Sequence, residues 1–344
     1  MNRVNKIAIV SLSKGILGEA FVAHELELGK KRIKELGVDL CFMPNALKGL
    51  EYLDNHPEER AKDLLQAFKD PSIDMILCAI GGDDTYRLLP YLFENDELKN
   101  AVSEKIFLGF SDSTINHLML NKVGLRTFYG QAFLSDVCEL SSSMLPYSKN
   151  YFNKLITTGK IDKIVPSSIW YDSREDFSAN AIGTTMKEHS NEGFILLQGS
   201  SIFSGKILGG CIDTIYDIFD GTRYKDSPEL CKKYSLFPSL DEWKGKILLL
   251  ESSEEKASAK KYRDMIKALS NYGIFDVING LLIGQPMDRT YEDEYFEILK
   301  SEVGNKNLSI AANINVGHST PRCIIPFGVT AHVDISKQVI EFEY

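Results

Sequence analysis

Short, largely apolar runs that alternate with amphipathic stretches constrain this chain more than any other feature. Residues 6–11, 38–43, 74–80 and 106–110 are each too short for a buried helix and, apart from Lys6, Ser11, Asp39 and Asp74, are apolar without polar alternation. They read as strands covered on both faces. Between them, residues 19–36 place Leu26, Ile33 and Leu36 on one helical side. Pro57 opens a helix carrying Ala61, Leu64, Leu65 and Phe68, a further helix starts near Tyr86, and Ile115, Leu118 and Met119 recur at helical spacing. A short strand at 125–129 comes next. Such alternation predicts a doubly wound, mainly parallel sheet with helices on both faces, whose ligands sit beyond the carboxyl ends of the strands.

Two segments fall at those ends. Gly81-Gly82-Asp83-Asp84-Thr85 succeeds the third run, and Gly109-Phe110-Ser111-Asp112-Ser113 turns the fourth into a helix. Small residues flanking Ser111 allow a tight turn that presents its hydroxyl, the logic of a G-x-S-x-G elbow with Ser113 in the place of the second glycine. The helix start beside it favours developing negative charge. Read alone, Ser111-Asp112-Ser113 is equally ordinary N-capping chemistry.

A serine nucleophile needs a base, usually a histidine held by a carboxylate. His24, His56 and His189 read as surface residues, His117 lies nearly two turns along the elbow helix and points elsewhere, and His332 reads as a half-buried strand residue. His318 differs, because Gly317 frees the backbone before it while Pro321 and Pro326 stiffen the loop after it. Glu251 closes the apolar run Ile247-Leu-Leu-Leu250, a way to deliver an orienting acid, whereas Glu254 and Glu255 read as solvated charges at a helix start. Backbone N–H groups of Asp112 and of the Gly82-Asp83 turn are the candidate oxyanion donors.

At 344 residues the chain is long enough for two lobes. Residues 1–165 form the expected α/β lobe carrying Ser111, 166–191 a linker or specificity loop with Trp170, and 192–344 a β-rich α/β lobe carrying Glu251 and His318, with the site between them. In the second lobe strands are expected at 193–198, 202–208, 246–250, 280–284, 310–315 and 329–344, while the pattern loosens from about 150 to 192. A net charge of −9 argues against nucleic acid or an anionic membrane as partner. The N-terminus carries no secretory apolar segment, so a cytoplasmic protein is expected. The six cysteines show no C-x-x-C spacing and read as free thiols.

In order along the chain, Ile80-Gly-Gly-Asp-Asp-Thr-Tyr-Arg87, Leu108-Gly-Phe-Ser-Asp-Ser-Thr114, Gly209-Gly-Cys-Ile-Asp-Thr214, Leu250-Glu251 and Gly317-His-Ser-Thr-Pro321 resemble the LD-carboxypeptidase family of serine peptidases. The family usually has Asn where this chain has Cys211. The length, the Trp170 segment and residues 284–299 look most like its microcin C immunity branch. The resemblance implies a Ser111, Glu251 and His318 triad, an acyl-enzyme, a homodimer, and neither metal nor cofactor. It implies an amide substrate near a free carboxyl end, either the muramoyl tetrapeptide of cell-wall recycling or an aminoacyl-nucleotide. Trp170 is the candidate for holding the base of the latter, or else a packing anchor. A cation for the terminal carboxylate is also implied, with Arg87, Arg223 and Arg322 as candidates. Two rival readings remain: a kinase, since Gly81-Gly-Asp-Asp-Thr85 is near the G-G-D-G-T of lipid and NAD kinases, and a two-lobed binding protein without catalysis.

Overall fold

A computed structural model describes residues 3–344. The first sheet runs β1 (Lys6–Val10), β2 (Asp39–Phe42), β3 (Met75–Cys78), β4 (Ile106–Gly109) and β5 (Thr127–Tyr129), all parallel. Their order in space is 5-4-3-1-2, so the connections change direction between β3 and β1. The crevice at such a reversal is where this architecture receives ligands. β3 and β4 are buried at every position, as their unbroken apolar runs predict.

Chain continuity then departs from the sequence reading. Residues 150–158, at the start of the stretch expected to be loose, belong to the helix Pro146–Thr158, because Pro146 opens it and Tyr151, Phe152, Leu155 and Ile156 bury one face. β6 (Lys163–Ile164) leaves the first sheet altogether and pairs with the last strand of the chain. A two-stranded ribbon, β7 (Ile169–Tyr171) with β8 (Glu188–Ser190), carries Trp170.

The second sheet contains β9 (Ile195–Gln198), β10 (Ile202–Cys211), β11 (Ile247–Glu251), β12 (Gly280–Gly284) and β13 (Ser309–Ile314). The middle four, β10 to β13, are parallel, and β9 is antiparallel on the edge of β13. Strand β10 runs three residues beyond the expected Leu208, taking in Gly209, Gly210 and Cys211. After β13 the chain crosses back. β14 (Ile325–Phe327), absent from the sequence reading, adds antiparallel to β5 on the first sheet. The stretch expected as one strand from 329 is a hairpin, β15 (Thr330–Asp334) and β16 (Val339–Glu343), on the second sheet. Each sheet thus takes a strand from the other half of the chain. The 318–324 segment must run across the gap between them.

The architecture is mixed α/β with a parallel centre in both sheets, as the sequence indicates. All six cysteines are free and all but Cys41 are buried. No helix among the described residues is long and apolar enough to cross a membrane.

Candidate active site

Ser111 stands where β4 gives way to a 3-10 turn, Ser111–Ser113, and then to the helix Thr114–Lys122. Its φ is +62°, a conformation that costs an L-residue about 1–2 kcal/mol. Strain of this kind is the sharp elbow the sequence predicts. Gly81 makes room for it, since a Cβ there would lie 2.6 Å from the Ser111 Cβ.

Glu251 ends β11, and its carboxylate is buried. Its Oε1 accepts from the Tyr129 hydroxyl at 2.6 Å, and its Oε2 accepts from the His318 backbone N–H at 3.2 Å. The His318 Nδ1 lies 2.7 Å from that same Oε2. Gly317 permits this close approach: it has a φ of +88°, and a Cβ on it would fall 2.2 Å from the Glu251 Oε2. On the other side of the imidazole, Nε2 lies 3.0 Å from the Ser111 Oγ. Hydroxyl, imidazole and carboxylate, separated by up to 207 positions in the chain, therefore form one continuous line.

Tyr129 and Glu254 are the two site residues that sequence reasoning missed. The Tyr129 hydroxyl accepts from the Ser111 N–H at 3.1 Å while donating to Glu251, so it ties the elbow to the acid. The signal in the sequence was a tyrosine at the carboxyl end of a fully buried strand, where its hydroxyl needs a partner. Glu254, expected to be a solvated charge, places its Oε2 3.0 Å from the His318 Nε2 although the side chain is 63% exposed. That contact to His318 holds its carboxyl down to about 2. Burial alone would lower the His318 pKa, but Glu251 and Glu254 outweigh it and raise it well above the ordinary imidazole value.

The three expected oxyanion donors divide. Asp112 lies in the first turn of its helix, where N–H groups have no intrahelical acceptor, and the Gly82 N–H has no acceptor among the described residues. Asp83 is different: its N–H donates to the Ser13 Oγ at 3.1 Å, so it is engaged inside the protein. The Asp112 carboxylate is buried and accepts from Ser13 Oγ, Thr85 Oγ1 and Thr85 N–H at 2.6–2.9 Å. The cationic candidates are also paired. Arg87 donates to the Asp84 carboxylate and the Asp54 carbonyl, and Arg322 is buried on Asp136 and the Ser319 and His318 carbonyls. Arg223 pairs with Asp217 and Glu255 on the wall of a cavity of about 370 Å³ that also meets Asp213 and Lys261.

Trp170 stacks on His189 with centroids 4.2 Å apart, and Arg289 lies over its ring at 5.5 Å. The ribbon that carries it is fastened to the His318 loop by the Tyr171 N–H, which donates to the Thr320 carbonyl. His117, expected to point elsewhere, is fully buried between Thr127 and the Gly109 carbonyl. His332, expected to be half-buried, is exposed on β15, whose outer face meets solvent. Asp84, the residue that breaks the kinase-like glycine pattern, is locked by Arg60 at 2.7 and 3.0 Å, so the loop is braced from within.

Cys211, Glu251 and His318 bring ligand-type atoms within 4.8 Å of one another. Glu251 and His318 are already bonded to each other, and burial raises the Cys211 thiol well above its ordinary pKa. A thiol held protonated beside a carboxylate–imidazole pair fits acid–base chemistry better than metal ligation.

Residues 7–130 match the LD-carboxypeptidase N-terminal domain, and residues 204–333 the LD-carboxypeptidase C-terminal domain. An MccF-like protein from Streptococcus pneumoniae, solved in complex with AMP, is 60% identical over 99% of both chains and superposes with a TM-score of 0.98. One from Bacillus anthracis is 26% identical over 99% of this chain and 97% of its own, with a TM-score of 0.81. The microcin C7 self-immunity protein MccF of Escherichia coli is 25% identical over 82% of this chain and 77% of its own. An elbow serine, a shared two-sheet architecture and both matching domains lead to one conclusion: this chain is an enzyme belonging to the LD-carboxypeptidase family of serine peptidases.

Proposed function

We propose that the protein hydrolyses the amide that joins an amino acid to a nucleotide-like group, with Ser111 as nucleophile, His318 as base and then acid, and Glu251 as the orienting carboxylate. The observation that carries the chemistry is the unbroken line from the Ser111 Oγ through the imidazole to Glu251, at 3.0 and 2.7 Å. The substrate class is supported by the 60% identical relative solved in complex with AMP.

Ser111 attacks the carbonyl carbon while its proton passes to the His318 Nε2. The oxyanion is received by the N–H groups of Asp112 and Gly82, which are oriented before the charge appears. Collapse of the intermediate breaks the C–N bond, and Nε2–H protonates the leaving nitrogen. Water then attacks the acyl-serine, gives its proton to Nε2, and Ser111 recovers its hydroxyl proton as the amino acid departs. Trp170 is assigned to the base of the leaving nucleotide, and the His189 ring already stacked on one of its faces sets its orientation. A cytoplasmic homodimer acting on a small substrate is the setting this reading implies.

Mass spectrometry of incubations with an aspartyl sulfamoyl adenosine and with a muramoyl tetrapeptide tests the proposal. Release of aspartate from the first, abolished by Ser111→Ala, is the expected result. Release of D-alanine from the second alone would move the substrate to the cell-wall peptide, and turnover of neither would refute the reading.

A further inference from the structure

The His318 ring lies between two carboxylates, one hydrogen-bonded to Nδ1 and one at ion-pair distance from Nε2. Its Nδ1 meets the Glu251 Oε2 at 2.7 Å, and its Nε2 meets the Glu254 Oε2 at 3.0 Å. A carboxylate charge this close to each ring nitrogen favours the doubly protonated, cationic ring. A neutral imidazole would turn a lone pair toward one of the two carboxylates. The hydrogen-bond partner of Nε2 is the Ser111 Oγ, also at 3.0 Å, and a proton kept on Nε2 by the Glu254 charge occupies the lone pair that would take the serine proton.

We propose that Glu254 is a latch: in the ligand-free protein it holds His318 as an imidazolium that cannot take the Ser111 proton, and it must swing away before the serine is activated. The latch position is also where the leaving nitrogen must be protonated, so a substrate that fills the site displaces Glu254 and releases the base. Freedom to move is visible in the side chain. It is 63% exposed, and the side chain its carboxylate pairs with is His318.

The surroundings of the ring offer no substitute. Glu251 faces it from β11, Ser111 from the elbow, and the Phe110 ring from its edge at 5.1 Å. Cys211 and Asp213 lie behind, from the end of β10 and the helix after it. Burial raises both of these groups, and the Asp213 carboxylate is taken up by the Ser253 N–H. Arg322 approaches only the His318 carbonyl, and Arg223 acts at longer range on Glu254. Charge from Glu254 therefore adds to that of Glu251, in the direction of the raised His318 pKa.

The gating role rests on Ser111 being the nucleophile, whereas the protonation state does not, and the two are read separately. Long-range proton–nitrogen correlation spectra of nitrogen-15-labelled protein track both ring nitrogens of His318 with pH. In the wild type both nitrogens should be protonated at neutral pH. In Glu254→Gln the titration midpoint should fall by about one pH unit or more, the scale of one adjacent opposite charge. Glu255→Gln, next in sequence but directed at Arg223, should leave the midpoint in place. Fluorophosphonate labelling of Ser111 at pH 7 should accelerate in Glu254→Gln by about tenfold for each unit of that fall. Equal midpoints in wild type and Glu254→Gln, or a neutral His318 in the wild type at pH 7, would overturn the latch. If the midpoint falls but Ser111 resists the label at every pH, the ring's protonation by Glu254 stands and the nucleophile assignment fails.

Discussion

Replacing Tyr129 with Phe removes one oxygen atom, the one that ties the Ser111 elbow to Glu251. The ring stays packed, because it stacks on Phe327 with planes 15° apart and centroids 5.4 Å away. The variant loses the donor to the Glu251 Oε1 and the acceptor for the Ser111 N–H. A hydrogen bond to a charged group contributes about 1.5–3 kcal/mol, and stranding the buried Ser111 N–H adds about 1 kcal/mol or more. The loss should total about 3 kcal/mol, visible as a lower denaturation midpoint with unchanged circular dichroism. The elbow and the acid also lose their common anchor. A displacement of about 1 Å between reacting groups can cost roughly 100-fold, so turnover should drop about 10- to 100-fold with little change in KM. A variant within about 0.5 kcal/mol of wild type and fully active would refute the view that this hydroxyl organises the site.

Ser111→Ala should abolish fluorophosphonate labelling and reduce hydrolysis by about a thousandfold or more at an unchanged or higher melting temperature, since the strained hydroxyl residue contributes chemistry rather than packing. Asp84→Asn would leave Arg60, which is fully buried, without its charge partner, and chemical denaturation should report about 3–5 kcal/mol of destabilisation. Activity should rise with pH, because the raised His318 pKa keeps the base protonated at neutrality, and the rising limb of the kcat/KM profile locates it. The stability contribution runs the other way. A raised folded pKa stabilises fully below the free imidazole value near 6.5 and fades as pH climbs through the folded value, which thermal melts across that window would detect.

Much of this was written locally. The apolar runs at 74–80, after its leading Asp74, and at 106–110 specify buried parallel strands because nothing polar within them could face water. Ser111 and Gly81 fall at the strand ends for the same reason, and the position of Glu251 is set by the run Ile247-Leu-Leu-Leu250 before it. Helix Pro146–Thr158 was missed, since Tyr, Asn and Lys dilute its apolar face and hide the period. β14, only three residues long, has no sequence pattern of its own and exists because β5 offers it an open edge.

Residue types and their neighbours thus determined most of the elements, the elbow and the candidates for serine, acid and base. Only the tertiary structure decided that the chain crosses from one sheet to the other after β13, which puts His318 between Ser111 and Glu251. It also decided what each charge meets. Two adjacent glutamates look alike as Glu254-Glu255, yet one reaches the imidazole and the other Arg223. Residue identity limits the chemistry a side chain can perform, while partners brought from distant positions set its protonation, because Coulombic and hydrogen-bond energies depend on distance in space and not along the chain.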